Sequence, residues 1–266
     1  YIKRAINISP SPSVSIISRK PQSFVPGQSR MLGENRFQFL NVTADVEKAD
    51  DWNLTNQDKL WLYNLHYFDD LNAIEAVQRS SWHANLIERW IYENPPGYGN
   101  GWEAYPSSLR IVNWIKWSLI GNSFKQEWFD SLAIQVRHLS NNLETDLLGN
   151  HLFANAKALV FAGLFFKGKE SDGWYQTGLN IIEKELLEQV LTDGGNFELS
   201  PMYHSIFLLD LLDLVNIHHA YNKKQISGVK DKIPLMLYWL KSMCHPDGGI
   251  SFFNDAAFGV APSLDE

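Results

Sequence analysis

Apolar residues recur at helical spacing along most of this chain, beginning at about Asn56. Leu60, Tyr63, Leu65 and Tyr67 open the pattern and Ile87-Glu88-Arg89-Trp90-Ile91 continues it. Helix-period segments follow at 107–120, 126–143, 151–166, 174–191, 201–221 and 231–244. None alternates with the period of two that marks a half-buried strand. The preceding residues differ. Ser9-Pro10-Ser11-Pro12-Ser13 is rich in turn formers, Val14-Ser15-Ile16-Ile17 is β-prone, and Phe37-Gln38-Phe39-Leu40-Asn41-Val42 reads as another short strand. The pattern predicts an irregular or β-prone arm over 1–55 and an all-α domain over 56–266.

Glycine turns punctuate the helices at intervals of roughly fifty residues. Gly99-Asn100-Gly101-Trp102, Gly149-Asn150-His151, Asp193-Gly194-Gly195-Asn196 and Asp247-Gly248-Gly249 each precede aromatic residues and a further segment. Such a period accommodates two helices and their turns at about 1.5 Å per residue. Repeated helical hairpins with these turns at equivalent ends describe an incomplete (α/α) barrel or toroid. An irregular bundle and an α-solenoid are the other arrangements of the same unit.

Composition narrows the function. The chain has 266 residues, enough for one large core or two modest ones. Its net charge of −7 argues against a nucleic-acid partner, which selects for a basic stripe. No stretch is apolar for long enough to span a bilayer. The single cysteine, Cys244, excludes a disulfide within the chain. A first residue other than Met and the ending Ser263-Leu264-Asp265-Glu266 suggest a fragment of a longer protein. Aromatic residues reach 13%, several of them beside polar residues in glycine-rich loops. Sugar sites favour that mixture, and a tryptophan-filled core is the alternative.

Three constellations carry candidate chemistry. In Leu148-Gly149-Asn150-His151-Leu152, Asn150 is a natural N-cap and His151 a first-turn residue, or both project toward a cleft. In Glu198-Leu199-Ser200-Pro201-Met202-Tyr203-His204, Ser200 and Pro201 make a strong helix start. The positive end of the helix dipole would then favour a tyrosinate at Tyr203, unless Tyr203 is simply packed there. Asn94 to Pro106 holds Tyr98, Trp102, Glu103 and Tyr105, with Arg110 in the next helix. It suits a sugar-stacking wall with one cation for a carboxylate, or a self-packed loop with an Arg110–Glu103 pair. His218-His219 reads as a solvated or dipole-stabilised pair, and His83 and His138 as helix-surface residues. No HExxH, GxSxG, P-loop or cysteine cluster is present, so neither a metal nor a cofactor is expected.

The Gly-Asn-His-Leu turn, the Asp-Gly-Gly-Asn-Phe-Glu-Leu-Ser-Pro-Met-Tyr-His segment and the later Asp-Gly-Gly with Phe253-Asn254-Asp255 together resemble the heparinase II/III-like family. These are polysaccharide lyases related to oligoalginate lyases, and the resemblance runs from about Trp61 onward. It implies an N-terminal (α/α) toroid followed by a C-terminal β-sandwich domain, an acidic polysaccharide substrate such as a glycosaminoglycan or alginate, and a periplasmic or secreted location. It also implies β-elimination, with Tyr203 as acid or base and Asn150 and His151 at the uronate carboxylate and the C5 proton. Trp102, Glu103, Tyr105, Arg110, Glu198 and His204 are the expected substrate contacts. Two departures stand out. Some members carry a Glu where this chain has Ala154, and the His that completes the family's site comes from the sheet region, beyond residue 266. Two other readings remain open: an inverting glycoside hydrolase using Glu103, Glu198 or Asp255, and a non-catalytic glycan-binding module.

Overall fold

The computed structural model describes residues 6–147, 149–257, 259–262 and 264; Leu148, Ser263, Asp265 and Glu266 lie outside the described residues. A small sheet precedes eight α-helices among the described residues. The strands are β1 (Met31–Gly33), β2 (Arg36–Phe39) and β3 (Val42–Asp45). The helices are α1 (Lys59–Tyr67), α2 (Ser80–Glu93), α3 (Ala104–Leu119), α4 (Gln126–Ser140), α5 (Asn150–Phe165), α6 (Lys169–Gln189), α7 (Pro201–Ala220) and α8 (Val229–Ser242).

The strand expected over 37–42 is instead a hairpin. Leu40 and Asn41 both adopt positive φ, 52° and 61°, and reverse the chain so that Phe39 pairs with Val42. Paired positive-φ residues are the signature of a tight turn matched to strand twist. The β-prone piece at 14–17 forms a single antiparallel bridge, Val14 to Phe166. Helix α6 begins at Lys169, five residues before its apolar pattern emerges, since its first turn is polar.

Contacts divide the chain into two compact units. One comprises the segment up to Ser13 and Pro26–Glu144; the other comprises Val14–Val25 and the segment from Thr145. In the first unit, Trp52, Trp61, Trp90 and Trp114 are fully buried. Eight of the ten tryptophans are buried over the whole chain, which assigns most of the aromatic excess to the cores. Asp70 organises this unit. Its carboxylate accepts from the Arg30 and Met31 backbone at 2.5 and 3.0 Å, from Arg79 at 2.7 Å and from His83 at 2.8 Å. Burial opposes ionisation, but these donors win and hold the Asp70 carboxyl well below the usual carboxylate range.

The second unit is built on α5, which is buried around most of its circumference. A Cβ on Gly163 would stand 2.6 Å from the Tyr175 backbone of α6, and one on Gly178 would stand 2.7 Å from the Ala156 carbonyl. Both glycines thus let the two backbones approach closely. On its other side α5 meets α7. Phe153 packs on Phe207 at 4.2 Å, and Lys157 bridges Asp210 and Asp213 at 2.6 and 2.5 Å. Burial disfavours the Lys157 cation, yet the two aspartates raise its pKa above that of an ordinary lysine.

Three histidines are more enclosed than expected. His83 and His218 are fully buried, the latter between the Leu214 carbonyl (2.7 Å) and the Tyr175 hydroxyl (3.1 Å). His138 is half-buried, with Nε2 bonded to the Trp102 carbonyl at 3.0 Å. Each satisfies a polar group inside its unit, a role that helical spacing does not distinguish from surface exposure.

Two outcomes are expected. Gly163→Ala forces a methyl group into the α6 backbone and should lower unfolding free energy by about 1–3 kcal/mol in urea titrations. Asp70→Asn leaves Arg79 without its charged partner and should cost about 3–5 kcal/mol at neutral pH. Because folding lowers the Asp70 pKa, the wild-type contribution is complete above the unfolded value near 3.9 and is lost as pH falls below it, so the two proteins should converge in acid.

Candidate active site

The start of α7 is fixed by Ser200. Its hydroxyl caps the helix by accepting from the Tyr203 backbone N–H at 3.3 Å and donates to the Asp255 carbonyl at 2.7 Å. That second bond brings the Phe253-Asn254-Asp255 segment against the helix start. The Tyr203 hydroxyl then donates to Asp255 Oδ2 at 3.2 Å. Asn254 completes the brace by donating to the Leu199 carbonyl at 2.8 Å.

At the start of α5, Gly149 occupies the cap position that the sequence pattern assigns to Asn150, and Asn150 is the first helical residue. Gly149 has φ 90° and ψ −150°, and a Cβ there would come within 3.1 Å of Glu198 Oε1. Its carbonyl accepts from Gln189 Nε2 at the end of α6 at 3.0 Å. The positive φ favours glycine and the nearby carboxyl leaves little room for a Cβ, and Asn150 and His151 follow, part-exposed on the first turn.

Glu198 links the two helix starts. Its Oε1 is buried with no hydrogen-bond partner among the described residues. Burial raises its pKa, the neighbouring His151 lowers it and Asp255 raises it further. Tyr203 is pushed up to about 12, by burial first and then by Asp255. The tyrosinate expected from the helix dipole is thus disfavoured: partial desolvation and a carboxylate at hydrogen-bond distance outweigh an end effect of about 1 kcal/mol.

His204 does not face this cluster. It is fully buried, with Nδ1 accepting from the Asn196 N–H at 3.1 Å and Nε2 donating to the Met236 carbonyl at 2.9 Å. Its ring lies 4.4 Å from Trp239, and burial lowers its pKa. It ties the Asp193–Asn196 turn to α8, so its expected role as a substrate contact is corrected to a structural one.

The expected contacts from the Asn94–Pro106 loop belong to the first unit, and two are structural. Arg110 is fully buried, donating to Gln135 at 2.8 Å and the Gly101 carbonyl at 2.7 Å, with its guanidinium 3.8 Å above Trp90. It is neither a cation for a substrate carboxylate nor the partner of Glu103. Trp102 is buried with its indole N–H on the Asn94 carbonyl at 3.2 Å, so its faces cannot stack on a sugar. Tyr105 is half-buried, edge-on to Tyr67 at 5.9 Å. Glu103 is exposed and pairs with Lys59 at 3.1 Å and with the Tyr63 hydroxyl. Among the described residues no group of three or more His, Cys, Asp or Glu side chains is placed to hold a metal ion, and no helix is long and apolar enough to cross a membrane.

Spacing did not single out Gln189, which holds Gly149, or the partnership of Asp255 with Tyr203. Asp255 had a signal, the Phe-Asn-Asp that follows the last glycine turn. Gln189 had none, as a polar residue at a helix end is unremarkable.

The fold belongs to the class built from repeated (α/α) hairpins. A crystal structure of heparinase III superposes with a TM-score of 0.62 at 23% identity, covering 82% of this chain and 36% of that one. The heparan sulfate lyase HepC from Pedobacter heparinus gives 0.58 at 24% identity, covering 83% and 38%. Within that class, the family described as heparinase II/III N-terminus matches residues 39–263, and the chain belongs to it. Among characterised relatives, a heparin-sulfate lyase of Pedobacter heparinus is 27% identical over 77% of this chain and 34% of its own length. One of Bacteroides stercoris is 34% identical over 41% of this chain and 17% of its own length. The chain therefore spans about a third or less of these relatives.

Replacing Asp255 by Asn removes the charge that opposes tyrosinate formation. The Tyr203 pKa should fall toward the ordinary tyrosine range while staying above it, since burial remains; NMR of protein labelled at the tyrosine phenol carbon reads the shift.

Proposed function

We propose that this chain is the helical part of a lyase that cleaves a uronic-acid-containing polysaccharide by β-elimination. The observation that carries the reading is the Tyr203 hydroxyl, held protonated and oriented by Asp255 beside Glu198 and the Asn150–His151 turn. Family membership and relatives named heparin-sulfate lyase support the same reaction and favour a uronate–hexosamine polymer over alginate. In this reading the toroid domain runs over 56–266, the arm over 1–55, and a β-sandwich domain further along the chain completes the site.

The chemistry follows from the uronate. Its C5 proton lies alpha to a carboxylate and becomes removable only when charge building on that group is offset. Asn150 supplies a neutral amide donor. Glu198, its pKa raised by burial, adds a polar contact beside the Gly149 turn. His151 accepts the C5 proton, the C4–O4 bond breaks, and Tyr203 delivers its proton to the departing oxygen. A phenol pushed up to about 12 is better placed to donate that proton than to start as a base.

A second reading draws on Glu198 and Asp255, a carboxyl with raised pKa beside an exposed carboxylate, the pairing an inverting hydrolase uses. The products separate the two. Elimination leaves an unsaturated uronate that absorbs in the ultraviolet, whereas hydrolysis yields reducing ends without it. Tyr203→Phe should lower kcat by about 100-fold or more with little change in KM, followed by that absorbance. Undiminished turnover would remove Tyr203 from the mechanism.

A further inference from the structure

The first unit carries an open cleft of about 550 Å³ between the turn that precedes α1 and the loop that precedes α3. The elimination steps proposed above do not use it, although its loop is the one whose sequence suits a sugar-stacking wall, and its volume is that of a small-ligand site. Tyr98 stands at its edge, 65% exposed on a rigid loop. That loop is clamped from below: Asn53 Oδ1 accepts the Asn100 N–H at 2.7 Å, and a Cβ on Gly99 would lie 2.4 Å from the same oxygen. An aromatic ring left in solvent on so constrained a backbone is a presented surface.

The remaining lining is rich in unused hydrogen-bonding groups. The side-chain amides of Gln57 and Asn100 and the Asn53 Nδ2 make no hydrogen bond within the described residues. Glu103 takes both Lys59 and Tyr63 on Oε2, which leaves Oε1 as an acceptor facing no protein donor. The Lys59–Glu103 pair makes the charged lining neutral overall, and Leu54, 37% exposed, adds an apolar patch. The cleft therefore offers a ring face, several amide donors, one carboxylate acceptor, an apolar contact and no net charge. This combination matches the C–H face, vicinal hydroxyls and acetamido group of an uncharged sugar, and it offers no unpaired cation to a sulfate or carboxylate.

We infer that this cleft is a binding subsite for an uncharged N-acetylated hexosamine unit of a polysaccharide, with Tyr98 as the stacking platform and Gln57, Asn100 and Glu103 as the hydroxyl and amide contacts. The uncharged sugar follows from the lining, while its identity as an N-acetylated hexosamine rests on the proposed lyase function. Calorimetric titration of the intact protein carrying Tyr203→Phe, which suppresses turnover, would compare two uronate–hexosamine oligosaccharides of equal length, one N-acetylated and one N-sulfated throughout. The N-acetylated chain should bind. Tyr98→Ala should weaken it about tenfold, the loss expected for one stacked face, and Tyr98→Phe should retain it. Gln57→Ala, at a part-exposed loop position whose side chain makes no hydrogen bond among the described residues, should weaken it in the same direction. The inference is overturned if Tyr98→Ala leaves the N-acetylated affinity unchanged, if the N-sulfated chain shows the same Tyr98 dependence, or if neither chain binds. Tyr98-dependent binding by a protein that forms no unsaturated product would sustain the subsite and remove only the lyase reading.

Discussion

The candidate site depends on how closely α5 can lie against its neighbours. Glycines at 163 and 178 bring the α5 and α6 backbones together, at positions where any side chain would collide with a main-chain atom. On the other face, Lys157 ties α5 to two aspartates of α7. A helix held on both sides cannot shift along its axis without breaking one set of contacts. The candidate groups at its start and at the start of α7 inherit that rigidity. The end of α6 takes part as well, since Gln189 holds the Gly149 carbonyl.

Charge is handled differently in the core and at the site. Lys157 and Asp70 are ions whose partners meet them at short distance, and in both the ionised form is favoured despite burial. Glu198 and Tyr203 are treated in the opposite way. Among the described residues, one oxygen of Glu198 is buried without a donor, and the Tyr203 hydroxyl is bonded to an acid. Burial and the neighbouring acid keep the Tyr203 hydroxyl protonated and raise the Glu198 pKa above that of an ordinary carboxyl.

Aromatic residues serve two ends in this protein. Tryptophan fills the cores, where Trp90 stacks beneath Arg110 and packs on Trp102 and Trp114. Tyr98, from the same loop as Trp102, faces solvent beside an open cleft. A structural ring and a presented one thus stand four positions apart, distinguished by what the fold covers.

The sequence by itself determined the helices, since apolar spacing placed α3 to α8 within a few residues of their observed ends. It also located the turns, because glycine at 149 and Ser200-Pro201 restrict local geometry strongly enough to mark a helix start. Those are short-range constraints, written in neighbouring residues. Burial is not short-range. Arg110, His204 and Trp102 look like ligands from their chemistry and become core or bracing residues because other helices close over them. The ionisation of Tyr203 went the same way: its position at a helix start was legible, while the carboxylate of Asp255, fifty-two residues further on, decided which way its proton leans. Only the tertiary structure sets that, because desolvation and charge–charge contact depend on what the fold brings near, whatever the separation along the chain.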